Sequence, residues 1–180
     1  MTGTHPSQVV LGVSDSLGGL QALRFAVAEC RRRGAVLRAV RAWRFTAPWS
    51  GEDIAACRVS AAEQASNEVV AAFDQALGGM PADVVVDIVT MEGEVVSVLT
   101  AQRLRDDDLL VVGAATIHRM ARLTTVDGQC GRIAPCPVVA VPPPALARQQ
   151  KVGALAQQLV REVELAARRS VSEGPASSAR

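Results

Sequence analysis

The chain has 180 residues, a length that fits one domain with an extension. Hydrophobic residues make up 49% and are mostly aliphatic, whereas aromatic residues make up 3% and include no Tyr, which argues against single-stranded nucleic acid binding by base stacking. Because 19 basic and 18 acidic residues nearly cancel, no long-range field attracts DNA, RNA or an anionic membrane, and a small molecule or a protein is the expected partner.

The first part of the chain alternates between strand and helix patterns. A β-branched run predicts a strand over Gln8–Val13, and Ser14-Asp15-Ser16 after it supplies turn residues and a helix N-cap. Basic residues before Gly34 are typical of the end of that helix. The next strand is predicted over Ala35–Trp43. The expected buried face of the helix consists of Leu20, Leu23, Val27 and Cys30.

The same alternation continues to the three prolines that begin at Pro142. A long helix is predicted from about Glu52 to Leu77, and a shorter one from Glu94 to about Leu104. The expected buried stripes are Ala62, Ala65, Val69, Phe73 and Leu77 in the long helix, and Val95, Val98 and Leu99 in the shorter one. The remaining strands are predicted over Asp83–Val89, Leu109–Gly113 and Cys136–Val141.

Strands that alternate with helices at this spacing form right-handed βαβ units. The predicted fold is therefore an α/β domain over residues 8–144, with an open, five-stranded, mostly parallel sheet of the Rossmann-like kind and helices on both faces. Pro142-Pro143-Pro144 closes the domain, because consecutive prolines cannot continue a strand ladder. Residues 1–7 and 170–180 are expected to be disordered. The segment 145–169 is predicted to hold one amphipathic C-terminal helix, from about Gln149 to Arg169.

Several segments, taken in chain order, carry a resemblance to a known family. VVLGVSDS, ALRFAVAECRRRGAVLRAVRAW, EGEVVSVL, DLLVVG and APCPVVAV resemble the universal stress protein domain over about Gln8 to Val141. Agreement in several ordered segments is more specific than any one of them. The resemblance implies a small cytoplasmic domain of the adenine nucleotide alpha hydrolase-like fold, usually dimeric through its last strand. One branch of the family binds ATP and another does not.

The loop after Gly113 is where the ATP-binding branch holds phosphate. Its pattern is G-x-x-G, nine residues, then G-[ST], in which glycines let backbone amides approach the phosphate oxygens. Here Thr116 replaces the second glycine, and Thr124-Thr125-Val126 aligns with the G-S-V that starts the next helix. Only seven residues, Ile117 to Leu123, lie between, so the loop is two residues short. Neither a G-x-G-x-x-G fingerprint nor a P-loop occurs.

The first strand departs from the family as well, because the aspartate of its V-D-G-S pattern falls on Ser14. We therefore predict a degenerate ATP site, weak or absent ATP binding, no cofactor, and a regulatory or interaction domain of the stress response that is not an enzyme. The alternative is an ATP-binding universal stress protein that uses the shortened loop in an altered geometry. His118, Arg119 and Arg122 are interpreted as solvated loop residues, with a different nucleotide held partly by them as the other reading. The resemblance implies a nucleotide site at Val13, Ser14, Val40, Gly113, Thr116, Thr124, Thr125 and Val126.

Three other patterns receive structural interpretations. Asp106-Asp107-Asp108 is interpreted as solvated turn carboxylates and not as a magnesium site, because successive side chains entering a strand point in opposite directions. Ser16 is interpreted as a helix N-cap, since no G-x-S-x-G elbow exists to expose a nucleophile. Cys136 is expected to be buried and inert. With the two histidines and four cysteines dispersed, no metal site and no catalytic group is predicted.

The sequence also carries information on the cellular location and the oligomeric state of the protein. The N-terminus lacks the basic residues and apolar run of a signal peptide, no apolar stretch reaches the ~20 residues needed to cross a bilayer, and the cysteine spacing is typical of a reducing compartment. These features predict a cytoplasmic protein that does not contact a membrane. The short apolar strand Pro137–Val141 is an aggregation hazard unless it is paired, which predicts a homodimer through this strand and leaves any other protein partner unidentified.

Overall fold

The computed structural model describes residues 7–46, 53–114 and 125–147. Strands and helices alternate in these ranges, as the sequence predicts. In chain order the elements are β1 (Gln8–Gly12), α1 (Leu17–Arg33), β2 (Val36–Trp43), α2 (Ile54–Leu77), β3 (Val86–Glu92), α3 (Val95–Thr100), β4 (Leu109–Gly113), α4 (Val126–Ile133) and β5 (Val138–Val141).

The five strands form one sheet in the order β3-β2-β1-β4-β5. Each pair of neighbours is parallel, so the predicted open sheet is confirmed and is parallel throughout. The central strand β1 lies between β2 and β4, and the winding reverses between β1 and β4. β3 and β5 are the two edge strands.

Two separate apolar cores confirm that helices cover both faces of the sheet. Because neighbouring residues of a strand point to opposite faces, Val9 and Leu11 of β1 join the core under α1 and α2, whereas Val10 joins the core under α3 and α4. Phe73 of α2 is the largest fully buried side chain. With so few aromatic residues, both cores consist mainly of Val, Leu and Ala.

The caps of α1 are those that the sequence predicts. The Ser16 hydroxyl accepts a hydrogen bond from the Gly19 amide at 3.0 Å and so satisfies one of the first N–H groups of the helix. Gly34 ends the helix in the left-handed conformation, with φ of 65°. The basic residues before it form ion pairs, and their charge lies in the last turn, where it is favourable to the helix dipole.

The boundaries of β3 and α3 differ most from the prediction, and β5 starts at Val138 instead of Cys136. β3 starts at Val86 instead of Asp83 and continues to Glu92, because it pairs with β2 from Leu37 to Trp43 and takes its length from that longer neighbour. Asp83 lies before the strand and pairs with Arg31 at 2.7 Å. α3 ends at Thr100, four residues early, since the Gln102 side chain turns back to donate to the Val98 carbonyl at 2.7 Å.

The predicted buried faces are correct except at their ends. Leu77 and Val95 are exposed, and Ala76 takes the inward position that Leu77 was expected to occupy. Leu20 and Ala62 are half-buried. Leu20, Val95 and Leu77 lie in the first or last turn of their helices, where the core no longer covers the helix, whereas Ala62 lies in the third turn of α2. Cys136 is buried, as predicted.

The interpretation of Asp106-Asp107-Asp108 as solvated turn carboxylates is wrong for Asp108, which is buried. Its carboxylate accepts hydrogen bonds from the Gln8 amide at 3.0 Å, the Gln8 side chain at 2.9 Å and the Arg105 amide at 2.8 Å. It therefore joins the start of β1 to the turn before β4. Asp106 and Asp107 are exposed, as predicted.

Contacts divide the chain into two compact units, 1–144 and 145–180. In the second unit the structure describes residues 145–147, which have helical backbone. The predicted helix from Gln149 to Arg169, and the terminal segments 1–6 and 170–180, lie outside the described residues. Among the described residues, no helix is both long and apolar enough to span a membrane.

Candidate functional site

A cleft of about 200 Å³ opens at the carboxyl ends of β1, β2 and β4. This is where the winding of the sheet reverses, the position at which open α/β sheets bind ligands. Its wall is mostly aliphatic, and it combines strand ends with the first residues of α3 and α4. The lining residues are Gly12, Val13, Ser14, Val40, Arg41, Ala42, Val95, Leu99, Val112, Gly113 and Val126.

Five of the eight predicted site residues line this one cleft: Val13, Ser14, Val40, Gly113 and Val126. Thr125 lies next to them as the N-cap residue of α4. Thr116 and Thr124 lie outside the described residues, as do His118, Arg119 and Arg122. Gly113, at the start of the predicted loop, and Thr125-Val126, at its end, therefore lie beside the carboxyl end of β1.

Hydrogen bonds within the protein hold the end of β1 in place. The Val13 amide donates to the Val40 carbonyl at 2.8 Å and extends the β1–β2 ladder by one residue. The Ser14 hydroxyl lies 2.9 Å from the hydroxyl of Ser16, which already caps α1. Ser14 therefore brings a neutral hydroxyl, engaged with its neighbour, to the carboxyl end of β1.

Gly113 has a packing role that sequence reasoning missed. A Cβ atom at this position would lie 2.6 Å from the Gly19 nitrogen and 2.7 Å from the Gly18 carbonyl carbon. At Gly19, in turn, a Cβ would lie 2.4 Å from the Ser14 carbonyl oxygen. Three glycines thus bring the first turn of α1 against the end of β4. This contact requires glycine at position 113 whether or not a phosphate binds.

Arg41 is the second residue that sequence reasoning missed. Its guanidinium donates from Nη1 to the Val13 carbonyl at 3.1 Å and from Nη2 to Glu68 of α2 at 2.5 Å. The side chain therefore ties the end of β1 to the helix that covers β2. The strand VLRAVRAW holds two arginines, Arg38 and Arg41, and nothing in the sequence distinguishes Arg41 as the one that makes this contact.

The described residues offer little support for a metal site or for a reactive cysteine. Within the ranges that the structure describes, no three His, Cys, Asp or Glu side chains are grouped closely enough to hold a metal ion. Burial raises the pKa of Cys30 and of Cys130 to about 11, and burial also raises the pKa of Cys136. These three thiols are therefore protonated at neutral pH and are poor nucleophiles.

Comparison with known proteins assigns the chain to a protein family. The sequence profile of the universal stress protein family matches residues 7–142. Universal stress protein UspA from Lactobacillus plantarum is similar in structure, with a TM-score of 0.52 and 19% identity over 77% of this chain and 99% of its own. None of the curated proteins matches the sequence.

Two further structures contain nucleotides. A universal stress protein in complex with cAMP has a TM-score of 0.50 and 19% identity over 77% of this chain and 99% of its own. A universal stress protein family protein from Arabidopsis thaliana with AMP bound has a TM-score of 0.49 and 18% identity over 78% of this chain and 94% of its own. At 19% identity, the similarity to the cAMP complex concerns the fold alone.

Proposed function

The chain belongs to the universal stress protein family, and we propose that it is a regulatory or interaction domain of the stress response whose ATP site is degenerate. It acts through binding and not through catalysis. The observation that carries the proposal is the contact of Gly113 with Gly18 and Gly19, because it accounts for the one glycine that remains of the family's phosphate loop.

The side chains around the cleft support the same proposal. Ser14 replaces a carboxylate, and Arg41, the cationic residue that lines the cleft, has Nη1 bonded to the Val13 carbonyl and Nη2 bonded to Glu68. The loop of this sequence is also two residues shorter than that of the ATP-binding branch, with threonine in place of two glycines. A β-branched residue resists the positive φ that glycine adopts readily.

The test is calorimetry of the full chain with Mg-ATP. We expect a dissociation constant above about 1 mM, which corresponds to less than ~4 kcal/mol of binding free energy. Replacing Thr116 and Thr124 by glycine is not expected to restore binding, because seven residues cannot follow the path of nine. A variant with both glycines and two inserted residues tests loop length directly. Micromolar affinity of the unmodified chain would overturn the proposal.

The second candidate function is nucleotide binding in an altered geometry. It is favoured by the aliphatic cleft at the reversal of the sheet, and by the cAMP bound to a protein of the same fold. Titration with AMP and cAMP beside Mg-ATP separates the two candidates. Micromolar binding of either monophosphate, without ATP binding, would favour this second function, with Val13, Val40, Thr125 and Val126 as the first residues to mutate.

We also propose that the protein is a homodimer through Pro137–Val141. β5 is an edge strand that pairs with β4 on one side only, and Ile133 of the neighbouring α4 is exposed. Placing Glu at the exposed Ala140 should yield monomers in light scattering, and so should Val139→Asp, although the latter also touches the core. Val85→Asp, before the opposite edge strand, is the control. An unchanged dimer in Ala140→Glu would exclude this interface.

The proposed domain boundary follows Pro144. The first unit contains all five strands and both cores, so a chain that ends at Pro144 should unfold in one cooperative thermal transition. The amphipathic helix predicted from Gln149 to Arg169 then has a role in interaction and not in folding. Loss of the cooperative transition on truncation would place that segment in the folding unit.

A further inference from the structure

One methionine of the edge strand β3 has an unusual neighbour. Met91 points to the face of the sheet that carries α3 and α4, because Val89, two residues earlier in the strand, packs against the core of that face. Its sulfur accepts a hydrogen bond from the side-chain nitrogen of Gln102, with 3.3 Å between Nε2 and Sδ. Sulfur is a weak acceptor, so this contact differs from the usual apolar packing of methionine.

The Gln102 side chain is held in place at this contact. It is 5% exposed, and the same Nε2 atom also donates to the Val98 carbonyl at 2.7 Å. A carbonyl oxygen only accepts hydrogen bonds, so the nitrogen of the amide, and not its oxygen, must face Val98. Both N–H groups of the amide are therefore used, and one side of the Met91 sulfur is covered in the folded chain.

Met91 is nevertheless open to reagents from the solvent. It is 38% exposed, and it lies at the edge of the sheet opposite β5, so pairing through β5 leaves it uncovered. Hydrogen peroxide oxidises such a thioether: the sulfur donates a lone pair to one peroxide oxygen, the O–O bond breaks, and the products are the sulfoxide and water. The sulfoxide sulfur is chiral, and its configuration depends on which of the two lone pairs has reacted.

We propose that Met91 is a site of reversible oxidation by peroxides at which the fold permits a single sulfoxide epimer. The N–H of Gln102 occupies the space in front of one lone pair, and a separation of 3.3 Å leaves no room for an oxygen atom between nitrogen and sulfur. Peroxide therefore reaches only the other lone pair. Each epimer is reduced by its own methionine sulfoxide reductase, so only one of these two enzymes can restore Met91.

The experiment uses Met80 as an internal control. Met80 is 43% exposed, and its sulfur has no hydrogen bond to any residue that the structure describes. The full chain is treated with hydrogen peroxide and then digested with a protease that cleaves at aspartate. This separates the two methionines, because Asp83 and Asp87 lie between them. Each half of the digest is treated with one epimer-specific reductase, and the remaining sulfoxide is measured by mass spectrometry.

The two methionines should give different results. We expect one reductase to remove at least about tenfold more Met91 sulfoxide than the other, whereas each should remove about half of the Met80 sulfoxide. Both epimers at Met91 in similar amounts would overturn the proposal. The absence of Met91 sulfoxide, at a peroxide dose that oxidises Met80 completely, would overturn it as well.

Two further measurements test whether Gln102 causes the selectivity. In urea the contact is lost, so peroxide treatment of the unfolded chain should give both epimers of Met91. Gln102→Leu retains a buried side chain of similar size without the N–H donor, and it should give both epimers in the folded state, which a cooperative unfolding transition verifies. A single epimer in the unfolded chain or in folded Gln102→Leu would contradict the role of this hydrogen bond.

Discussion

The two ends of the β1–β4 pair, in the middle of the sheet, have opposite chemistry. At the amino end, the buried Asp108 carboxylate accepts three N–H groups from Gln8 and Arg105. At the carboxyl end the same strands border an aliphatic cleft, and Gly113 packs closely against the first turn of α1. A buried carboxylate holds the amino end, whereas close glycine packing and the hydrogen bonds of Val13 hold the carboxyl end.

The difference shows how the fold keeps one end available for a ligand. A buried carboxylate with three donors has no remaining need for a partner, so Asp108 fixes the amino ends of the two strands. At the carboxyl end, the steric contact fixes the backbone while Val40, Val112 and Val126 still border open space. Mutations at the two ends should therefore affect stability through different mechanisms.

The largest effect is expected from Gly113→Ala. The new Cβ would lie 2.6 Å from a backbone nitrogen, so α1 or β4 must move, and we expect a loss of about 2 to 3 kcal/mol in the free energy of unfolding, measured by urea denaturation. Gly131→Ala is the control, since nothing lies within 4 Å of its added Cβ and alanine favours the helix by roughly 0.5–1 kcal/mol. Similar stability of the two variants would contradict the steric role of Gly113.

A smaller effect is expected from Asp108→Ala. It leaves three N–H groups near the start of β1 without their acceptor, and we expect about 2 kcal/mol of destabilisation. Its exposed neighbour is the control, and Asp107→Ala should change the unfolding free energy by no more than about 0.5 kcal/mol. Amide hydrogen exchange should show faster exchange in β1 for Asp108→Ala only. Equal stability of both variants would mean that the carboxylate does not join the strands.

The sequence predicts those structural features that depend on residues close together in the chain, and it fails for features that depend on distant residues. The strand–helix alternation, the Ser16 cap and the end of α1 at Gly34 depend on neighbouring residues, and the structure confirms them. Asp108 was misjudged because its partner Gln8 lies 100 residues away, and the length of β3 because β2 sets it.

The candidate site shows the same limit. Gly113 stands out in the sequence as a phosphate-loop residue, but its contact with Gly18 and Gly19 arises only when α1 packs on the sheet. Arg41 has no sequence signal for its bond to the Val13 carbonyl, since that bond spans two strands. The position of the cleft, in contrast, follows from the order of the elements, because open parallel sheets bind ligands where the winding reverses.

The smallest effect is expected at the last turn of α1, where Glu29 accepts hydrogen bonds from Arg32 and Arg33. These bonds lower the pKa of Glu29 from 4.5 to about 2. Because the folded-state pKa is depressed, the stabilisation is present above pH 4.5 and is lost as the pH falls toward 2. Both arginines retain solvent contact, so Glu29→Gln should cost only about 1 kcal/mol at pH 7. Urea denaturation at pH 7, 4 and 3 should show this difference shrinking, with Glu63→Gln, on the exposed side of α2, as the control. A difference that stays constant down to pH 3 would show that the charge of Glu29 does not stabilise the last turn of α1.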